Sequence, residues 1–114
     1  MLNKIMKTYV FDIDGTICTY SQGNYSDSEP LIERIKVIND LYKAGNIIIF
    51  QTARGMGSSG NNSILAAEKW RVFTVSQLNS WGVNYHQIFF GKPAGDIYVD
   101  DKGQSDLDFF KNYY

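Results

Sequence analysis

Cysteine is all but missing from this chain: Cys18 stands alone among 114 residues. A lone thiol excludes an intramolecular disulfide framework and a cysteine-based zinc site, and Cys18 reads as a small apolar filler. Histidine is equally scarce. His86 is the only one, so no histidine triad or cluster can form, and it reads as a structural or surface residue. No apolar run approaches the ~18 to 20 residues that span a membrane. Met1–Met6 is too short for a signal peptide, which leaves the cytoplasm as the expected compartment. Charge of one sign is lacking too. The formal net charge is -1 and lysines and arginines form no run, which argues against a nucleic-acid-binding face spread over the surface but not against a local patch. The glycines of 55–63 are not followed by Gly-Lys-Ser/Thr, so they do not make a Walker loop.

What remains is the composition of a soluble globular protein, long enough for one domain with a single core over residues 1–114. Aromatics are abundant, with 8 Tyr and 7 Phe, which is compatible with a homo-oligomer.

The centre of the chain is Thr8–Thr16. Tyr9, Val10 and Phe11 form a β-prone apolar run expected to be a strand buried on both faces. It ends in Asp12 and Asp14, with Gly15 allowing a sharp turn and Thr16 following. Beyond a strand's carboxyl end both carboxylates can converge in the crevice where open α/β sheets bind ligands. Two acids so close repel, and a Mg²⁺ ion with its preference for oxygen ligands removes the conflict. Asp12 can then attack a phosphorus atom, while Asp14 can protonate the leaving group and later activate water. The plainer alternative is a solvated Asp-x-Asp-Gly turn.

The residues that follow suggest alternating strands and helices. Residues 17–27 are polar and turn-rich and read as a flap loop or small hairpin, with Tyr20 and Tyr25 within reach of a substrate. Ser28-Glu29-Pro30 carries a helix-start signal, and Leu31, Ile35, Ile38, Leu41 and Tyr42 define an apolar face up to Gly45. Asn46–Gln51 is expected to be a second, central parallel strand, ending in Thr52-Ala53-Arg54. Residues 55–63 read as a flexible loop beside the site. Ile64–Trp81 is a second helix closed by Gly82, whose tryptophans are core or subunit-interface residues. Gln87–Phe90 is a third strand leading to Gly91-Lys92-Pro93. Ile97–Val99 is a fourth, ending in Asp100 and Asp101, before a short last helix through Phe109 and Phe110 that Asp106 and Asp108 serve.

Asp12-Ile13-Asp14-Gly15-Thr16, then Thr52, then Lys92-Pro93, then Asp100-Asp101, each closing an apolar run, resembles the four ordered motifs of the haloacid-dehalogenase-like (HAD) superfamily of phosphatases and phosphotransferases. The likeness spans roughly Lys7–Lys102. It implies an α/β fold: a three-layer, doubly wound parallel sheet of Rossmannoid type, with helices on both faces and no cap domain. It also implies a Mg²⁺-dependent mechanism through a phosphoaspartate. In that scheme Asp12 is the nucleophile and Asp14 the acid/base, while the Thr52 hydroxyl bonds a phosphoryl oxygen. Lys92 offsets the acids and aligns nucleophile and phosphoryl group. Arg54 reaches the same anion or another part of the substrate, and Gly15 and Thr16 at the turn are substrate-binding residues with it. Asp12, Asp14 and Asp101 hold the metal, with Asp100 contacting it through water or secondarily.

Among uncapped members, the run Thr52-Ala53-Arg54-Gly55-Met56 with Gly91-Lys92-Pro93 is similar to small phosphatases of capsule-polysaccharide biosynthesis. That likeness implies a sugar phosphate as substrate. The competing readings are a polynucleotide 3′-phosphatase, which would need a basic track toward the site, and a catalytically idle HAD-like binding module. A receiver-like signalling module fits less well, because it lacks the second Asp two residues after the acceptor.

Overall fold

Apolar β-branched and aromatic runs alternate with amphipathic stretches along the chain, and the structure, a computed structural model, builds them into a small α/β domain. It describes residues 6–114. Residues 1–5, and with them most of the short start read as no signal peptide, lie outside the described residues. Strands β1 (Thr8–Asp12), β2 (Ile47–Thr52) and β3 (Gln87–Phe90) form one parallel sheet in the order β1-β2-β3. Phe11 is level with Phe50, and Phe50 with Ile88. Helix α1 (Ile32–Lys43) joins β1 to β2, and α2 (Ser63–Ser80) joins β2 to β3. A short α3 (Asp106–Phe110) follows a long strandless stretch.

The helix ends show what the local sequence decides. Asn62 caps α2 by accepting hydrogen bonds from the amides of Ile64 and Leu65, and Ser105 caps α3 by accepting from Asp108 N–H. α1 starts later than its Ser28-Glu29-Pro30 signal suggests: Ser28 Oγ donates to Ser21 Oγ, and Leu31 sits at the cap without a side-chain bond. Ser28 is spent on closing the 17–27 loop, which the Cys18–Pro30 bridge pins as a small hairpin.

Both crossovers move in one direction across the sheet, and right-handed connections then place α1 and α2 on one face. The core agrees. Phe11, Ile48 and Phe50 pack with Ile35 and Ile38 of α1, Leu78 of α2 and Phe110 of α3. The opposite face leaves Val10, Ile47 and Phe89 exposed. The expected three layers are therefore two within the chain, and β1, expected to be buried on both faces, is covered on one only. The reason is topological: with strands in sequential order and no helix crossing back, no helix among the described residues reaches the second face.

The fourth strand is also missing from the sheet. Residues 91–105 form no strand, and Ile97 and Val99 are 83% and 93% exposed. Among the described residues, β1 pairs with β2 alone and its outer edge pairs with no strand. No helix is long and apolar enough to cross a membrane among the described residues.

Candidate active site

Parallel strands that end together bring their terminal residues to one edge. Register places Asp12 level with Gln51, and Thr52 level with Phe90, so three of the four motifs meet at the carboxyl ends of β1, β2 and β3. Asp12 Oδ1 accepts from the Ile13 amide at 3.1 Å, and Asp12 Oδ2 receives the Lys92 ammonium at 2.7 Å. Lys92 is itself placed by its own amide, which donates to Thr52 O at 3.2 Å and so continues the β2–β3 ladder. Gly91 makes this turn at a φ of 112°, and an added Cβ there would lie 2.8 Å from Ser63 Cβ.

Asp14 is held from the other side. Arg54 Nε and Nη2 donate to its two oxygens at 2.9 and 3.0 Å, a bidentate fork. The remaining Arg54 nitrogen, Nη1, donates to Thr74 Oγ1 and Gln77 Oε1 of α2, and the guanidinium stacks 4.6 Å from the Tyr25 ring. Arg54 is 1% exposed. Arg54 is expected to reach for substrate; here each of its three guanidinium nitrogens donates within the chain, and the fork holds Asp14.

Thr52 is buried, and its Oγ1 accepts from Arg54 N–H at 3.0 Å, which leaves the hydroxyl proton to donate. Gly15 turns at a φ of 80°, and its amide donates to Cys18 O. Thr16 O accepts from Arg34. Cys18 lies under the loop, its thiol pushed up to about 12 by burial first and the neighbouring Asp14 carboxylate second, which suits an inert filler. His86 closes the sheet at its other end: its Nδ1 accepts from Ile48 N–H, and its ring stacks on Tyr42.

Asp100 and Asp101 do not join the other acids. They sit on the exposed 91–105 stretch, where the Lys102 amide donates to Asp100 Oδ1 at 3.1 Å and holds the Asp100 carboxyl below its usual range. Asp106 goes elsewhere, pairing with Arg34 at 2.7 Å. No group of three or more His, Cys, Asp or Glu side chains able to hold a metal occurs among the described residues. Within one chain the described residues thus do not gather the full oxygen set that the implied Mg²⁺ would take. Asp12 and Asp14 each face a cation of the protein, and Asp100 lines the same groove as Asp12 without forming such a group with it.

Between the edge of β1 and the 91–105 stretch runs a groove of about 1390 Å³, open at Asp12 and Lys92 and walled by Tyr9, Ile97 and Val99 among others. A separate hollow of about 520 Å³ between α1 and the terminal tyrosines shares no residue with it.

Thr74, Gln77 and Tyr25 matter to the site in ways the motifs do not show. The signal for the first two is chemical: a Thr and a Gln three residues apart on a helix face otherwise carrying Phe73, Leu78 and Trp81 need polar partners. The 55–63 loop is less loose than its composition suggests. Met56 is buried, and Asn61 Oδ1 accepts from the Ala94 amide.

No family model and no curated protein matches the chain. A solved structure of a structural genomics target from Vibrio cholerae, which carries no functional name, is similar to it. The TM-score is 0.83 at 25% sequence identity, over 91% of this chain and 87% of that one. The likeness supports a compact Rossmann-like core of parallel strands and helices.

Proposed function

We propose that the protein hydrolyses a phosphomonoester through an aspartyl-phosphate, in the manner of the HAD superfamily it resembles. The observation that carries this reading is the Asp12–Lys92 pair at 2.7 Å, at the crevice where β1 and β3 end. An Asp-x-Asp pair alone could be a turn. A lysine from far along the chain, laid on the first carboxylate, is an arrangement suited to phosphoryl transfer.

In this reading Lys92 and the Thr52 hydroxyl hold the phosphoryl oxygens and screen the approach of one anion to another. An Asp12 carboxylate oxygen attacks phosphorus in line, the bond to the leaving oxygen breaks, and that oxygen takes a proton from Asp14, which the attacking water later replaces. Water then attacks the phosphorus of the aspartyl-phosphate and gives a proton to Asp14. Inorganic phosphate leaves and Asp12 is restored. Arg54 keeps Asp14 oriented throughout. The resemblance of the 52–56 run favours a sugar phosphate, and no basic track toward the site favours a polynucleotide end.

The test is phosphate release from a panel of sugar phosphates, nucleotides and 3′-phosphorylated oligonucleotides, with Mg²⁺ and with EDTA, for wild type and Asp12→Asn. Mg²⁺-dependent release lost in Asp12→Asn is expected, fastest with a sugar phosphate. A folded protein that releases nothing from any of them would leave the binding-module reading.

A further inference from the structure

The motif that lies apart has a vacant place to go. Among the described residues the outer edge of β1 pairs with no strand, and the β-prone run Ile97-Tyr98-Val99 lies across a groove from it. Ile97 and Val99 are exposed, and Tyr98 is held only by its side chain. The Tyr98 hydroxyl donates to Pro93 O and accepts from Gly95 N–H, and its ring lies under Lys92 Nζ. Long apolar edges and exposed apolar runs are normally covered. A parallel strand that brought Asp100 level with Asp12 would set Ile97 and Val99 beside Tyr9 and Phe11 on the core face, with Tyr98 beside Val10.

The chain cannot make that pairing with itself. Lys92 is fixed on the line of β3, above the end of β2, by its amide bond to Thr52. Asp96 would have to start the new strand at the level of Thr8, on the far side of β1. At ~3.3 Å per residue along the strands and ~4.8 Å between them, that displacement is about 20 Å or more. The chain from Lys92 to Asp96 spans at most about 14 Å when fully extended. Parallel neighbours ordinarily need a crossover of about a dozen residues or more, and none is present here. A second molecule is not bound by this limit.

We propose that the 96–101 segment of one copy pairs with the β1 edge of a second copy, reciprocally, and so carries Asp100 and Asp101 to the other copy's Asp12. The exchange is isologous and closes as a dimer. Val10, Ile97, Tyr98 and Val99, each more than half exposed, are the residues that the exchange would cover in both copies. The exchange itself rests on geometry alone. Its consequence, an acid set fit for a divalent cation only in the dimer, rests on the phosphoryl-transfer reading above.

Sedimentation equilibrium of the full chain should give twice 13.0 kDa, falling to 13.0 kDa in Val99→Asp with an unchanged circular-dichroism spectrum. A Val10→Cys copy carrying a mass tag, mixed with an untagged Tyr98→Cys copy under mild oxidation, should form a disulfide-linked heterodimer. A chain that stays monomeric across the micromolar range overturns the proposal. So does a dimer without this cross-link, or a Val10→Cys/Tyr98→Cys double variant that links within one chain. These readouts need no activity, so their failure leaves the phosphatase reading standing. Mixing Asp12→Asn with Asp101→Asn should restore Mg²⁺-dependent release that neither shows alone, since one site per mixed dimer then has both acids. No restoration from a dimer that does cross-link overturns the shared site.

Discussion

Val10-Phe11-Asp12-Ile13-Asp14 and Ile97-Tyr98-Val99-Asp100-Asp101 are nearly the same phrase: β-prone apolar residues closed by two acids. Their fates differ completely. The first is a strand whose Phe11 lies in the core and whose carboxylates each receive a cation of the protein. The second is exposed, unpaired with any strand, and holds its acids apart from the rest. Composition does not separate them; chain connection does. β1 is followed by a loop and a helix long enough to return the chain for a parallel partner, whereas residues 91–96 are too short to carry 97–99 back to the start of the sheet.

This contrast can be broken or sharpened by substitution, and the largest effect belongs to the buried half. Arg54→Ala would leave Asp14, Thr74 and Gln77 without the buried guanidinium they share, which should destabilise the fold by about 3–5 kcal/mol. Urea unfolding would show it as a lowered midpoint, and an unchanged midpoint would mean the fork contributes nothing. Phe11→Ala removes the ring that packs against Phe50, Phe109 and Phe110 and should cost about 3–4 kcal/mol in the same measurement. Lys92→Met keeps the length of the side chain and deletes its charge. It should lower kcat about 10²–10³-fold with little change in folding, as for other groups that stabilise developing charge.

At the other end of the scale, Val99→Asp should change the unfolding free energy by less than about 0.5 kcal/mol where the chain is monomeric, because Val99 is almost fully exposed. A large loss there would show that 97–99 is folded within the chain and would erase the contrast. The smallest effect concerns Cys18. With its thiol pushed up to about 12, it stays protonated from pH 7 to 9, so iodoacetamide should leave it unmodified over that range until urea unfolds the chain. Rapid labelling of the native protein would contradict its burial.

Much of the site was legible in the sequence because strand ends are local features. A run of apolar residues followed by Asp12, Thr52 or Lys92 predicts both the strand and the side chain at its lip, and parallel register does the rest. The polar loop over 17–27 follows equally local rules, whereas the use of Ser28 in closing that loop and the caps at Asn62 and Ser105 emerge only in the structure. Arg54 was legible as a site residue but not in its role. Whether a guanidinium faces a ligand or a neighbouring carboxylate depends on Thr74, Gln77 and Tyr25, which come from other parts of the chain. The second layer of helices was not there to be read, because sequential strand order with right-handed crossovers puts both long helices on one face.

The sequence by itself determined the alternation of strands and helices, the parallel sheet, and the chemistry available at its carboxyl edge, since periodicity, turn residues and acid placement act over a few residues. Only the tertiary structure decided that Arg54 is paired with Asp14, that among the described residues one face and one edge of the sheet are uncovered, and that Asp100 and Asp101 form no metal-holding group with Asp12. Those are questions of reach and of which surfaces meet. They depend on the distance between chain segments in space, and a pattern of residue types does not carry it.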